Sequence, residues 1–348
     1  MKNKLISLFA AATVGICALL GGCSCSGDNT LSFNNNAANS ETLTYKVEYS
    51  EDYIENNKKT ADLDKYFTFE YSNGTYVTEL KQANASEITS DILDIKDAKG
   101  ESLVSTIYKL TSDFSIDIKL NIGDKSYDHT EKITTQTYIA QAGVSFAPLY
   151  SKAEAEYTVI SVNETADSTI LKSVTETFYN KSEYRTVKKY KYFDMDAAAE
   201  SIKLDDVTEK EHTEKYSFRS VIDNAELLFA LRGITLEEKS TTNISVVSPE
   251  YDKSVSLSIA NTAKSEEEFT ITYNGEEVKE TLKYNSYSYL VNSNNVSGSA
   301  QYVNIQSESA GKIANNALIL KYSKPLIAYG SFSKMGALVF TLTDVVIG

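Results

Sequence analysis

Apolar side chains recur at every second position along most of this chain, and that period limits the fold more than any other feature. Leu43, Tyr45, Val47 and Tyr49 alternate with Thr44, Lys46 and Glu48, and Phe114, Ile116, Ile118 and Leu120 alternate with Ser115, Asp117 and Lys119. A strand points successive side chains to opposite faces, so each run predicts one buried and one wetted face. Further β-rich runs follow at 153–162, 170–178, 184–193, 243–247, 254–259, 269–273, 278–284, 317–322, 326–329 and 337–342. Val345 and Ile347 extend the pattern to the end of the chain. The three prolines, Pro148, Pro249 and Pro325, are few enough for a sheet protein, because proline removes a ladder N–H and is confined to edges and turns. Twenty-four tyrosines without a tryptophan suit broad, half-buried sheet surfaces.

Turns are marked by Asn-Gly and Gly-Asp pairs. Asn73-Gly74 and Asn274-Gly275 each lie between β-rich runs and predict tight hairpins, since both residues tolerate positive φ. Gly123-Asp124 predicts a third turn, with 125–137 returning antiparallel. In that returning run Tyr127, His129, Glu131 and Ile133 share a face that is not cleanly apolar, which predicts an edge or a wet concave surface. The segment 84–98 fits either a short helix or another ribbon.

One helix is predicted, over 220–232. Asp223 and Glu226 have the spacing of a capping box, Val221, Ala225, Leu228 and Leu231 share a face, and Gly233 follows Arg232 as a stop. Ile222, Leu227 and Phe229 make the remaining surface apolar, so this helix is expected to be buried against the sheet.

Both histidines occur in one repeated string, Asp128-His129-Thr130-Glu131-Lys132 and Glu211-His212-Thr213-Glu214-Lys215, 83 residues apart. At that offset Ile139 meets Ile222, Ala142 meets Ala225 and Phe146 meets Phe229. The match points to an internal duplication. It also predicts a degenerate second helix over 137–146, ended by Pro148.

The amino terminus gives the address. Lys2 and Lys4 precede an apolar run from Leu5 to Leu20, which closes on Leu20-Gly21-Gly22-Cys23. Sixteen residues fall short of the roughly 20 that span a bilayer. The pattern is that of a lipoprotein signal peptide over 1–22, with Cys23 as the acylated first residue of the mature chain. The expected location is the cell membrane, anchored by lipid (palmitate among its acyl chains) and facing the extracytoplasmic side. Ser24 to Ser40 is rich in Ser, Asn, Gly and Ala, and 23–41 is read as a flexible tether. The expected organisation beyond it is a first β unit over 42–150 and a second over 151–348 that carries the helix.

Charge and motif content narrow the chemistry. The formal net charge is −14, and loss of Lys2 and Lys4 with the leader takes it to −16. Arg185, Arg219 and Arg232 are the only arginines, which argues against nucleic acid as a partner. Cys17 leaves with the leader and Cys25 lies in the tether, so no disulfide framework is expected. The sequence has no phosphate loop, no Gly-x-Gly-x-x-Gly, no His-Glu-x-x-His and no Gly-x-Ser-x-Gly. No catalytic residue and no cofactor is assigned. His129 with Glu131, and His212 with Glu214, are weak metal candidates: residues two apart on a strand share a face, but zinc usually wants three protein ligands or more.

The helix ending Leu227-Leu228-Phe229-Ala230-Leu231-Arg232, with the later runs Lys324-Pro325-Leu326-Ile327 and Gly336-Ala337-Leu338-Val339-Phe340, resembles a family of bacterial envelope proteins. In that family a curved antiparallel sheet half-wraps a helical segment, in a manner reminiscent of the periplasmic lipoprotein carriers. The resemblance covers about residues 155 to 348 and implies no catalytic set. The expected fold is therefore mainly β: long curved antiparallel sheets wrapping one or two short helices. The first expected function is a non-catalytic binding module for an apolar or glycan ligand, with lipid, glycan or an envelope protein as partner. A structural or adhesion lipoprotein that contacts other envelope proteins is the second, and a hydrolase the third.

Overall fold

Alternation is the rule in the structure too. The computed structural model describes residues 4–7, 16–17, 40–51, 65–142, 145–162, 166–195, 207–217, 220–247, 254–292, 301–328 and 333–348. Its strands are β1 (Lys4–Ser7), β2 (Ile16–Cys17), β3 (Ser40–Ser50), β4 (Thr68–Ala83), β5 (Val104–Ile122), β6 (Lys125–Ala142), β7 (Ser145–Val162), β8 (Ala166–Tyr179) and β9 (Glu183–Asp194). They continue with β10 (Thr208–Lys215), β11 (Ile222–Asp223), β12 (Thr241–Val247), β13 (Val255–Tyr273), β14 (Glu276–Asn292), β15 (Gln301–Gln306), β16 (Ile319–Ala328) and β17 (Ser333–Ile347). Leu43, Tyr45 and Val47 on β3, and Phe114, Ile116, Ile118 and Leu120 on β5, are buried, as their period predicts.

Ladders join these strands into one antiparallel sheet in the order β10-β9-β8-β7-β6-β5-β4-β3-β17-β16-β15-β14-β13-β12. β11 adds to β12 in parallel. Strands far apart in the chain meet in this order, because β3 pairs with β17 from Ser50↔Ala337 to Glu41↔Ile347. A parallel contact of Thr272 and Tyr273 with Asp344 and Val345 brings β13 against β17, so β13 to β17 close on themselves. The boundary expected at 150/151 falls inside β7, which pairs with β6 on one side and β8 on the other. β1 and β2, both within the expected leader, pair with the far ends of β7 and β14.

A single large core cluster draws on β3, β5, β7, β8 and β12 to β17, and on the helical segment at 224–231. The sheet is curved round that segment. It is shorter than the sequence suggests: a 3₁₀ turn at Asn224–Glu226 runs into α1 (Leu227–Leu231). Residues 222–223 are strand β11 and not helix. The capping box of Asp223 and Glu226 forms as predicted. Leu227 and Leu231 are buried, at about 1.5–3 kcal/mol for each side chain withdrawn from water.

Three further expectations are corrected. The second helix over 137–146 does not form: 125–142 is strand β6 and 145–162 is strand β7. Thr134, Thr135, Thr137 and Ile139 are β-branched, and ladders on both sides hold them extended. Pro148 does not stop an element; it sits inside β7 beside the register shift at Tyr138/Ile139, and Pro325 likewise begins a shift in β16. Each proline lies next to the residue that the bulge leaves out of the ladder, Leu149 or Leu326, where the pairing is already irregular and a residue without an N–H is tolerated. Asn73-Gly74 is not a hairpin but a bulge within the 16-residue β4, with a register shift between Ser72 and Thr75. Segment 84–98 holds two 3₁₀ turns, Ala85–Glu87 and Asp91–Asp94. Pro249 lies outside the described residues, as do Cys23 and the tether up to residue 39.

Candidate functional site: a cavity beneath the helical segment

The helical segment is fixed at both ends by buried charge. At its start, Asp223 accepts hydrogen bonds from Ser151 Oγ (2.6 Å) and Tyr179 Oη (2.5 Å) on Oδ2, and from the Ala225 N–H (2.8 Å) on Oδ1. Glu226 Oε1 accepts the Asp223 N–H at 3.0 Å, while its Oε2 is buried without a hydrogen-bond partner. Burial raises the pKa of both acids, that of Glu226 well above the carboxylate range with the Asp223 charge adding to the effect. Asp223 has three donors and Glu226 one, so the proton belongs on Glu226. At the other end, Arg232 pairs with both oxygens of Glu41 on β3 and donates from Nη2 to the Asn316 carbonyl (2.7 Å).

Between these ends the segment does not fill the space under it. A cavity of about 130 Å³ remains, bounded by Asn224, Ala225, Leu227 and Leu228 above and by β4, β5, β6, β13, β14, β15, β16 and β17 below. Five aromatic rings, those of Tyr76, Phe114, Tyr289, Tyr322 and Phe340, contribute to its wall. Phe340 lies 4.9 Å from Tyr322, 5.6 Å from Tyr76 and 6.0 Å from Phe114, measured between ring centroids. A smaller void of about 30 Å³ adjoins it, sharing Tyr76, Ser112, Ala225 and Leu228, and ends at the Glu41–Arg232 pair.

The polar groups of the main cavity are few and placed together. Tyr289 Oη (2.9 Å) and Tyr322 Oη (2.8 Å) both donate to Gln301 Oε1. Burial raises the pKa of both phenols, which keeps them protonated as donors. Ser112 Oγ and Thr135 Oγ1 bond at 2.6 Å. Lys324 stands two residues on from Tyr322, on the same face of β16, and is 5% exposed. Among the described residues, the lining contains no carboxylate. Glu131, fully buried on β6, interacts electrostatically with Lys324, and its Oε1 accepts the Thr158 N–H at 3.1 Å. Burial pushes the Glu131 pKa up to about 8.

The two His-x-Glu pairs are not brought together. His129 and Glu131 lie on β6 and His212 and Glu214 on β10, with β7, β8 and β9 between them. Burial lowers the His129 pKa, and its Nε2 is 3.9 Å from Glu156 Oε1. Glu214 accepts from Tyr184 Oη and from the Ser254 N–H (2.6 Å), which ties β10 to the start of β13. No group of three or more potential metal ligands occurs among the described residues. The face carrying His129 and Glu131 was expected to be an edge or wet. The β6–β7 ladder does start only at Lys132, but Glu131 is wholly buried.

Lys324, Gln301, Tyr289 and Tyr322 were not singled out by sequence as a site. One signal was readable: Lys324 has the inward parity of Leu320, Tyr322 and Leu326, and a lysine at such a position is an exception.

No family model matches the chain, and no curated protein matches it. Among solved structures it is similar to the crystal structure of a beta-barrel-like protein of domain of unknown function DUF1849 from Brucella abortus. That match has 8% sequence identity, covers 89% of this chain and 98% of that chain, and has a TM-score of 0.37. No helix among the described residues is long and apolar enough to cross a membrane, which says nothing of β-barrels.

Proposed function

We propose that this β-rich chain is a lipid-anchored binding protein of the extracytoplasmic membrane face, whose curved sheet holds one small, mainly apolar ligand beneath the helical segment. The observation that carries the proposal is the cavity of about 130 Å³ lined by Phe114, Leu228, Leu257, Tyr322 and Phe340. An engineered apolar cavity of about 150 Å³ stays dry and binds benzene. Pockets for larger ligands run from about 300 to 1,000 Å³. The size therefore favours one ring or a short chain over a whole membrane lipid, and the aromatic rings in the wall favour an apolar ligand over a glycan. The membrane attachment rests on Cys23 and its lipobox. Its strong net negative charge would keep the polypeptide itself off an anionic bilayer, leaving attachment to the lipid.

Native mass spectrometry of the full chain, purified gently from cell envelopes, tests the binding half. A one-to-one small-molecule adduct that is lost on unfolding is expected; bare protein across preparations would contradict it. Labelled palmitate tests the anchor. Incorporation is expected in the parent chain and is expected to vanish in Cys23→Ser.

A further inference from the structure

Something must move before a ligand can enter a cavity roofed by Asn224, Ala225, Leu227 and Leu228. The helical segment that carries this roof is held by two clips of unlike chemistry. At one, Arg232 meets both oxygens of Glu41 and the Asn316 carbonyl. A guanidinium keeps its proton throughout the neutral range, so this clip has its cation at any such pH. At the other, the capping box sets Asp223 and Glu226 side by side, 4% and 2% exposed. Ser151, Tyr179 and the Ala225 N–H solvate Asp223. Glu226 receives one N–H, and its Oε2 is buried with no hydrogen-bond partner among the described residues. A second negative charge here would meet neither water nor a free donor, and it would face the first.

The titratable groups coupled to Glu226 are Asp223 on its own segment, Tyr179 on β8 and Tyr216, which follows β10. β7 meets the segment with the Ser151 hydroxyl. β6 meets it with Ile133 and Thr135 at the cavity and with Ile139 near Phe229, none of which titrates. Across the cavity stand Tyr76, Tyr289 and Tyr322, phenols that burial keeps protonated, and Lys324, which is coupled to Glu131. Of the two buried acids beside the roof, Glu226 is the one with an oxygen left over, so a change of its charge falls on the cap itself.

Resting on the binding reading above, we infer that Glu226 is a proton latch on the roof of the cavity: protonated, it lets the segment close over the ligand, and ionised, it frees the Asp223 end, so that the segment opens about the Arg232–Glu41 clip and the ligand leaves. The sign follows from burial. The closed roof raises the Glu226 pKa, while opening returns the carboxyl to water and to its ordinary value of 4.5. The closed state therefore binds the extra proton. Closure is strongest below 4.5 and weakens by about tenfold per pH unit as pH rises towards the closed-state value. A ligand without a titratable group feels pH only through this equilibrium.

Hydrogen exchange of the full chain from pH 5 to pH 8, read over residues 224–232 and corrected for the intrinsic chemical rate, tests the latch with and without saturating toluene. In the parent chain the opening constant of the segment is expected to rise by about tenfold per pH unit. Amides of β5 are expected to stay far slower, which marks the opening as local. Glu226→Gln, neutral at every pH, should flatten the rise, and Glu131→Gln should leave it in place. The latch is overturned by a parent chain without the rise, by a rise that survives in Glu226→Gln or is lost in Glu131→Gln, or by β5 opening to the same extent as the segment. Toluene is expected to slow exchange over 224–232 at pH 5. If it does not, and the pH-dependent opening is seen, the binding reading fails while the latch stands as a property of the segment. If toluene protects the segment equally at every pH and no rise is seen, the latch fails while the cavity stands.

Discussion

The two ends of the helical segment bury carboxylates in the same interior and neutralise them in opposite ways. At the Arg232 end, Glu41 is answered by a guanidinium that also reaches the Asn316 carbonyl. At the Asp223 end no cation is present among the hydrogen-bond partners; hydroxyls of Ser151 and Tyr179 solvate Asp223, and a proton answers Glu226. One end is thus an ion pair that clips the segment to β3, the strand that pairs with β17. The other is a proton-dependent cap that ties it to β7 and β8. The contrast teaches that burial alone does not set ionisation: the donors available to each carboxylate do. Between the two clips the segment is held away from the sheet, and the cavity is what remains.

The largest expected effect breaks the ion-pair end. Arg232→Met leaves Glu41 buried without its partner and should cost about 3–5 kcal/mol in denaturant unfolding. The double change with Glu41→Gln should recover much of that loss. At the other end, Asp223→Ala removes the acceptor of two hydroxyls and one N–H, and a cost of about 2–3 kcal/mol is expected from the donors left unsatisfied. Glu226→Gln, which retains an acceptor for the Asp223 N–H, should shift stability at pH 7 by only about 1 kcal/mol.

The two ends should also separate in their response to pH. Burial raises the folded-state pKa of Glu226 and of Asp223 above their ordinary values of 4.5 and 3.8. The folded chain then binds more protons than the unfolded one, so this contribution is fully present below those ordinary values and is lost as pH rises towards the folded pKa. Glu131 acts in the same sense over the window from 4.5 to about 8. Unfolding midpoints should therefore fall between pH 5 and pH 8. Glu226→Gln should flatten that slope, and Arg232→Met should lower the midpoint without removing it. An unchanged slope in Glu226→Gln would place the proton elsewhere.

Much of the architecture was legible because a sheet writes its period into the chain. The inward residues of β3 and β5, the capping box and the burial of the segment all follow from local pattern. The two Asn-Gly pairs show where local pattern stops. At the turn between β13 and β14, Asn274 and Gly275 both have positive φ, 51° and 85°, and the hairpin closes as expected. In β4 only Asn73 does, at 51°. Gly74 is needed there for a different reason: a Cβ on it would stand 2.3 Å from the Val47 carbonyl oxygen of the neighbouring strand. The dipeptide is identical, and the neighbouring strand β3 decides between turn and bulge. The repeated His-Thr-Glu-Lys string misled for the same reason. Both copies are strands, but beyond them Phe146 stays in β7 while Phe229 enters the helix, and the two rings meet at 5.8 Å across elements that the offset had equated. The cavity was illegible because its wall comes from eight strands and the segment, positions that only closure of the sheet brings together.

Binding in that cavity is the central claim, and its most direct measurement is the unfolding midpoint of the full chain against increasing toluene, in parallel with Leu228→Trp, which fills the space from above. A saturable one-site stabilisation that grows with the logarithm of toluene concentration, and is absent in Leu228→Trp, is the predicted result. No saturable stabilisation of the parent chain, or equal stabilisation of a folded Leu228→Trp, would contradict it.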